Sequence, residues 1–284
     1  MKSTGNRDKK KPPLMHQTFV SCYHIIGGVR MSKSYTTSEV AKIIDIHPNT
    51  VRLYEELKLI SKPRRQENGY RIFTELHIEQ FKVARLAFQV EVLQNGLRKK
   101  AIEIIKASAK CDFDKALKLT ASYLNQLKEE KENAEKAIQI VEQILSGKNE
   151  IEQGLRLTRK EVAHYLHVTI DTLRNWELNG LLTVERKKNG YRVYTDTDIQ
   201  KLIIIKSLRC ANYSLSSILR LLHILSSNPQ IDIRVAIDSS QSGEDIITAC
   251  DNLLTSLNHA KENAKEIYTN LVEMKNKYFS NPPL

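Results

Sequence analysis

The sequence has 284 residues and a formal net charge of +11, with 41% hydrophobic, 27% charged and 6% aromatic residues. This length and composition predict about two domains rich in helix, and the positive charge favours a polyanionic partner. Because no apolar run reaches the roughly 18 residues of a membrane helix, and the four cysteines lack the spacing of a zinc motif or a disulfide framework, we expect a cytoplasmic protein with no membrane segment, metal or cofactor.

The first segment, residues 1–31, differs from the rest of the chain. It holds six basic residues and one acid, so the remaining residues carry a net charge of only +6. The segment has no helical periodicity and predicts a disordered extension. We interpret Met31 as the natural start of the protein, and a basic arm on DNA is the alternative.

The chain contains an internal repeat, which decides its architecture. Residues 35–73 align with residues 157–194: TTSEVA matches TRKEVA, TVRLYE matches TLRNWE, and NGYRIF matches NGYRVY. Further on, KENA at 131–134 recurs at 261–264. The duplicated unit is therefore a small head followed by a long helix.

The first head begins with a helix-turn-helix pattern. Thr36 and Glu39 have the spacing of a capping box, and the helix that follows presents an apolar face formed by Val40, Ile43 and Ile44. After a turn at residues 45–46, Pro48 stands at a favoured first helical position and opens a second helix, Pro48–Leu57.

A hairpin and a third helix complete this head. The strands Lys62–Arg65 and Tyr70–Thr74 flank Asn68-Gly69, a strong hairpin signal. The helix Glu75–Val92 follows, with an inward face formed by Ile78, Phe81 and Ala84.

The second head repeats each step. It has a capping box at Thr158 and Glu161, a second helix over Ile170–Leu178, a wing turn at Asn189-Gly190 and a helix from Asp196. Gly180 stands where that second helix should end in a left-handed cap. Lys58 holds this position in the first head, at a cost of about 1 kcal/mol.

A heptad stripe follows each head and predicts a coiled coil. A helix packing on its own head is the alternative. The first stripe is Leu117, Thr120, Leu124, Leu127, Lys131, Ala134, Ile138, Val141 and Leu145, and the second is Cys250, Leu253, Leu257, Ala260, Ala264, Ile267, Leu271, Met274 and Tyr278.

The predicted fold is mainly α, with two winged helix-turn-helix heads that each carry a β-hairpin wing and precede a long coiled-coil helix. The boundaries are the extension at 1–31, the first head at 32–110, the first coil at 111–147, a linker at 148–154, the second head at 155–226, a loop at 227–243 and the second coil at 244–280.

The second helix of each head carries the side chains that would read DNA. The N-terminal residues of such a helix reach base edges in the major groove. An alternative role for His47 and Thr169 is helix capping, and Asp171 would repel phosphate unless it accepts from a cytosine amine. The candidate base-reading residues are Asn49, Thr50 and Arg52 in the first head, and Thr169, Thr172 and Arg174 in the second.

The wings carry clustered cations, which suit contact with phosphates. Tyr54 and Trp176 either stack on the sugar-phosphate backbone or pack beneath the wing. The wing cations are Lys62, Arg64, Arg65 and Arg71 in the first head, and Arg186, Lys187, Lys188 and Arg192 in the second.

These residues together resemble the MerR family of transcription regulators. The resemblance covers both heads and, more loosely, both long helices, and it implies homodimers joined by an antiparallel coiled coil that act with RNA polymerase at promoters. The DNA contacts that the resemblance implies are Arg52, Tyr54, Arg64, Tyr70 and Arg71, and also Arg174, Trp176, Arg186, Tyr191 and Arg192. Metal-sensing members place a cysteine near the position of Cys111, but its partner thiols are absent from this sequence.

The doubled unit favours a chain that folds as a pseudo-symmetric dimer of its own halves. A coil of about 33 residues spans about 50 Å, and an antiparallel partner helix would bring the end of the first coil near the second head. A homodimer with four heads is the competing arrangement.

We therefore predict a regulator that binds double-stranded DNA with two unequal half-sites. A DNA-architectural or recombination directionality protein is the alternative, a scaffold with vestigial heads is disfavoured by the wing cations, and no catalytic constellation indicates an enzyme.

Overall fold

The computed structural model describes residues 33–89, 96–147, 154–186, 190–228, 230–238 and 252–279. The fold is mainly α, as predicted. The first unit consists of α1 (Thr37–Ile44), α2 (Pro48–Glu56), β1 (Arg64–Arg65), β2 (Arg71–Ile72), α3 (Glu75–Gln89), α4 (Leu97–Ala109) and the long helix α5 (Phe113–Leu145). The second consists of α6 (Arg159–Tyr165), α7 (Ile170–Leu178), α8 (Asp196–Cys210), α9 (Leu215–Ser227), α10 (Ile233–Asp238) and the long helix α11 (Leu253–Phe279).

Both predicted capping boxes are present. The backbone N–H of Thr36 donates to Glu39 Oε2 over 2.7 Å, and that of Thr158 donates to Glu161 Oε2 over 2.7 Å. In return, each threonine hydroxyl accepts from the backbone N–H of its glutamate. The same local chemistry therefore starts the first helix of both heads.

Several elements differ from the sequence-based expectation. Helix α2 ends at Glu56, one residue early, and the strands of the first wing span two residues each. Helices α4 and α9 were not predicted, and the predicted loop 227–243 contains α10. The predicted third helix ran to Val92, but residues 90–95 lie outside the described part of the chain.

The first head has its own aromatic core. Phe73, Phe81 and Ala84 are fully buried, and Val40 packs with them from α1. The expectation that Ile43 also faces this core was wrong: its side chain is 48% exposed. It lies instead on the side of α1 that borders α3 and α11.

The two long helices pack against each other and run antiparallel. Lys275 Nζ near the end of α11 lies 2.6 Å from Asp114 Oδ1 at the start of α5. Each long helix also packs on the head of the other unit, α11 on α3 and α5 on α8. The first long helix also packs on α4 of its own unit, so α5 contacts both heads and the alternative of packing on its own head holds in part for α5.

Most of the predicted heptad stripe is buried between these helices. Leu145 is an exception: it is 45% exposed, and Ile144 is the buried residue at that end of α5. Cys250 lies outside the described residues. The stripe residues less than 4% exposed are Thr120, Leu127, Ala134, Ile138 and Val141 on α5, and Leu253, Leu257, Ala260, Ala264, Ile267, Leu271 and Met274 on α11.

Polar contacts also join each long helix to the head of the other unit. Lys277 Nζ on α11 lies 3.0 Å from Glu75 Oε2 and 2.8 Å from Glu79 Oε1 of the first head. In the second head, Asn212 Nδ2 donates to Glu130 Oε2 on α5 over 3.1 Å. Within the described part of the chain, no helix is both long and apolar enough to cross a membrane.

Candidate nucleic-acid interface

The start of α2 presents a polar, accessible face. His47 is its N-cap, and its Nδ1 accepts from the Asn49 backbone N–H over 3.1 Å, so this side chain has the capping role that we had left open. Asn49 and Arg52 are exposed, and the Arg52 guanidinium donates to Asn49 Oδ1 over 2.8 Å. Thr50 is partly buried beside them.

The first wing is a short antiparallel hairpin. Arg64 pairs with Ile72 and Arg65 pairs with Arg71. The turn uses Gly69 at φ 83°, a conformation that residues with a Cβ rarely adopt. Tyr70 next to it is 72% exposed. The turn therefore leaves an aromatic ring and two arginines accessible at the edge of the head.

Glu55 links this wing to α2. Its carboxylate forms an ion pair with Arg71 Nε and lies 3.6 Å from Arg65 Nη2. Arg71 is only 19% exposed, while Arg65 is 48% exposed. Arg71 therefore positions the wing on the helix, and Arg65 keeps an accessible guanidinium.

The second head starts its α7 in the same manner. Thr169 is the N-cap, and its hydroxyl accepts from the Thr172 backbone N–H over 3.0 Å and lies 2.8 Å from the Thr172 hydroxyl. Thr169 therefore also caps a helix. Asp171 in the first turn of α7 and Arg174 in the following turn are exposed.

Glu177 is the counterpart of Glu55 and has more partners. Its carboxylate lies 2.8 Å from Arg192 Nε and 2.7 Å from Arg159 Nη2, and it accepts from the Tyr194 hydroxyl over 2.6 Å. Burial acts to raise the pKa of Glu177, but the hydrogen bonds from Tyr194 and Arg159 outweigh it and the pKa is lowered. The carboxylate is therefore ionised at neutral pH.

Sequence reasoning missed Arg159 as part of this cluster. Thr37 holds the equivalent position in the first head, so the repeat gave no signal for it. Arg159, Arg174, Arg186 and Arg192 line one cavity of 560 Å³ with Glu177 as its single acid. Four guanidinium groups around one carboxylate leave a surplus of positive charge, which suits a phosphate.

Tyr54 and Trp176 are buried at equivalent positions, 7% and 4% exposed. The Tyr54 ring stacks on Phe81, with 5.4 Å between ring centroids. Both residues support the recognition helix from inside the head, so packing accounts for their placement, and a DNA contact by either one stays a prediction.

The second wing is described in part. Arg186 and Arg192 form an isolated antiparallel bridge, and the Val193 backbone N–H donates to the Glu185 carbonyl over 3.2 Å. Tyr191 is 71% exposed, like Tyr70 in the first wing. The candidate residues Lys187 and Lys188 lie outside the described residues.

Comparison with known families accounts for both heads. The model described as the MerR family regulatory protein matches residues 36–73, and the one described as the MerR HTH family regulatory protein matches residues 157–223. The chain carries two MerR-family units. Each match lies within one head of the structure and includes its recognition helix.

Several curated relatives resemble one MerR-like unit. The HTH-type transcriptional regulator CueR of Escherichia coli O6:H1 is 43% identical over 53 residues, 19% of this chain and 39% of the relative. The HTH-type transcriptional regulator ZntR of Escherichia coli K12 is 40% identical over 65 residues, 22% of this chain and 46% of the relative. The chain thus spans less than half the length of these relatives, and no solved structure matches it.

The cysteines of the MerR-like units do not form a cluster in the described residues. Cys111 is 7% exposed, and it lies 4.0 Å from Gln80 Nε2 just before the N-cap of α5. Within the same ranges, no group of three or more histidine, cysteine or acidic residues could hold a metal ion.

Proposed function

We propose that the protein is a transcription regulator that binds double-stranded DNA in a sequence-specific manner, with its two heads on two non-identical half-sites of a promoter. The observation that carries this proposal is the guanidinium-rich cavity beside α7, in which Arg159, Arg174, Arg186 and Arg192 surround Glu177. The cavity lies between a recognition helix and its wing, where a phosphate backbone passes when such a helix enters the major groove.

The side chains divide into two roles. Asn49 and Arg52 on α2, and Asp171 and Arg174 on α7, are exposed near helix N-termini, where residues reach base edges. The wing cations contact phosphates, which sets affinity and register without reading sequence. The wing residues proposed for this role are Arg64, Arg65, Tyr70, Arg186, Lys187, Lys188 and Tyr191.

Other candidates act through the residues that they hold. Arg71 and Arg192 are paired with Glu55 and Glu177. They keep each wing at a fixed angle to its recognition helix. The part of their positive charge that the glutamates do not neutralise adds to the surface that contacts phosphates. Thr169 is exposed, and its hydroxyl caps α7.

The two heads differ where they would read bases. Asn49 corresponds to Asp171 in the repeat, while Arg52 corresponds to Arg174. An asparagine pairs with adenine, whereas an aspartate accepts from the amine of cytosine. The half-sites should therefore share the base read by the arginine and differ at the neighbouring position.

A single chain provides both heads. The antiparallel packing of α5 on α11 occurs within one chain and supports a monomeric pseudo-dimer on DNA. A homodimer with four heads remains the competing arrangement, and the mass of the complex separates the two. RNA polymerase is the proposed partner at the promoter.

The test is selection of bound duplexes from a random pool with the full chain, followed by native mass spectrometry of the complex. We expect a two-part motif with related but unequal halves, bound by one chain. A perfect palindrome bound by two chains would overturn the pseudo-dimer, and no enrichment would overturn sequence-specific binding. Strong bending at tandem sites away from promoters would instead favour the architectural alternative.

Two matched variants assign the halves of the motif. Asn49→Asp gives the first head the residue of the second, and Asp171→Asn makes the reverse change. Each is expected to change the preferred base at one position in one half of the motif. If both variants select the parental motif, these residues do not read bases.

A further inference from the structure

The cross-packing creates two equivalent grooves between a head and the long helix of the other unit. The first groove lies between α3 and α11 and is bounded by Ile43, Lys82, Arg85 and Glu266. The second groove lies between α8 and α5 and is bounded by Tyr165, Ile203, Lys206 and Lys136. In the register of the repeat these residues correspond one to one in the order given, so each groove is an internal control for the other.

The first groove is lined by charged groups of both signs. Glu266 on α11 shares it with the cations Lys82 and Arg85 of α3. Next to them, Asn263 Nδ2 on α11 donates to the Leu86 carbonyl of α3 over 3.3 Å. The remaining cavity has a volume of 350 Å³.

The second groove lacks this complementarity. Lys136 replaces the acid on the long helix and shares the groove with Lys206, and no acidic residue lines it. The side chains of Asn133, which corresponds to Asn263, and of both lysines form no hydrogen bond or ion pair within the described ranges. The cavity is larger, at 660 Å³.

The nearby acids on α5 do not neutralise these lysines. Glu130 accepts from Asn212, and Glu132 lies 3.7 Å from Lys128. Glu135 lies 3.9 Å from Lys131 and 3.7 Å from Arg234. Two like charges at one junction repel each other. The groove therefore has a place for an anion that its counterpart, with its own carboxylate, does not have.

The rest of the second groove is mostly apolar, although Asn133 and Ser207 also line it. Ile140, Tyr165 and Ile203 line it, and Tyr165 and Ile203 replace Ile43 and the charged Lys82 of the first groove. A volume of 660 Å³ is in the range of small-molecule sites, which combine apolar walls with a few polar groups. We propose that the second groove binds a small amphipathic organic anion, with an aromatic or aliphatic body on these walls and its carboxylate or sulfonate between Lys136 and Lys206.

The proposal is tested by direct binding to the full chain without DNA, so its outcome is independent of the proposed regulatory function. The probe is the fluorescent anion 1-anilinonaphthalene-8-sulfonate, and N-phenyl-1-naphthylamine is its uncharged counterpart. We expect one sulfonate probe per chain. Lys136→Glu introduces the acid of the first groove. It should weaken binding of the sulfonate probe about tenfold or more, since a charge-assisted contact is lost. It should change binding of the neutral probe less than about twofold.

A matched pair of variants locates the site. Lys206→Gln should weaken binding of the anionic probe, whereas Arg85→Gln at the equivalent position of the first groove should not. Unchanged binding after both Lys136→Glu and Lys206→Gln, or equal loss after Arg85→Gln, would overturn the proposal. Urea unfolding of each variant, followed by Trp176 fluorescence, checks that it is folded.

Cys210 provides a second readout, because it is exposed and lines the second groove. Saturation with the anionic probe should slow alkylation of Cys210 by iodoacetamide, measured by peptide mass mapping, and the buried Cys111 serves as the internal reference. A probe that binds but leaves the alkylation rate of Cys210 unchanged binds elsewhere, which would also overturn the proposal.

Discussion

Glu55 and Glu177 occupy the same position in the two units, and each carboxylate binds the wing arginine of its own head, Arg71 or Arg192. The arginine follows the glycine of the wing turn by two residues in both heads. The link joins the last turn of the recognition helix to the hairpin, so the residues proposed to read bases and those proposed to contact phosphates keep one relative orientation.

Neutralising Glu177 should release the second wing. In Glu177→Gln the charged partner of Arg192 and Arg159 is lost, and we expect the free energy of unfolding to fall by about 2 kcal/mol, since hydrogen bonds to charged groups contribute about this much. Urea unfolding followed by Trp176 fluorescence measures it, because Trp176 is the one tryptophan of the chain and lies in this head. Glu185→Gln is the control, an exposed acid on the same wing, and an equal loss in both variants would contradict the role of Glu177.

Acid should destabilise the first head through His77. Burial lowers the pKa of His77 to about 4 from an ordinary value of 6.5, and its Nδ1 accepts from the Thr74 backbone N–H over 3.0 Å. The neutral ring is thus favoured in the folded state, so its contribution is complete above pH 6.5 and is lost as the pH falls towards 4. At about pH 5 the loss should reach about 2 kcal/mol.

The matched variant for this prediction is His77→Gln, because the side-chain oxygen of glutamine can accept from the same Thr74 backbone N–H without titrating. Chemical unfolding followed by circular dichroism at pH 7 and pH 5 compares the two proteins. The carboxylates with lowered pKa titrate in both, so the difference between the two pH profiles isolates His77. Identical profiles would refute the assignment.

Lys58 should be a site of stored backbone strain. It adopts φ 57° at the end of α2, where the equivalent Gly180 adopts φ 76° after α7. A left-handed residue with a Cβ costs about 1 kcal/mol, so we expect Lys58→Gly to stabilise the protein by about that amount. Gly180→Ala should destabilise it by a similar amount, since a Cβ there meets no atom within 4 Å and the cost is conformational alone. Thermal unfolding compares both with the parent protein, and a destabilised Lys58→Gly variant would be the contrary result.

The salt dependence of DNA binding should distinguish residues that contact phosphates from residues that read bases. Arg64 is exposed on the wing, and no ion pair involves it among the described residues. We expect Arg64→Gln to reduce the slope of log K against log salt concentration by about 0.9 and to weaken binding to all sequences alike. Arg52→Gln should instead alter the preferred sequence, as measured by fluorescence anisotropy on the selected site and its point variants. An unchanged slope for Arg64→Gln would remove it from the phosphate surface.

Local signals made the heads predictable. The capping boxes at Thr36 and Thr158, the proline at the start of α2 and the turn at Asn68-Gly69 each depend on residues within four positions of one another. Chemistry of this range can be recognised in one sequence, and the repeat confirmed the pattern a second time. The buried stripe on α11 was predictable for the same reason, because helical periodicity is itself local.

Long-range geometry was not predictable from these signals. Arg159 reaches Glu177 across 18 positions of the chain, and nothing in either segment marks the contact. Ile43 matches the apolar pattern of α1, but its side chain is 48% exposed and lies on the side of α1 that borders α3 and α11. The unpaired cations of the second groove became visible only when the structure showed that Lys136 and Lys206 line the same cavity.

The crossed packing of α11 on α3 and of α5 on α8 has a consequence for assembly in the cell. Two separate chains, each with one head, would combine into two like pairs as well as the mixed pair, and only the mixed pair would match an asymmetric site. Covalent fusion gives every molecule one copy of each head, whatever its concentration. Each head is then free to diverge in sequence, because a substitution in one of them is never forced upon the other.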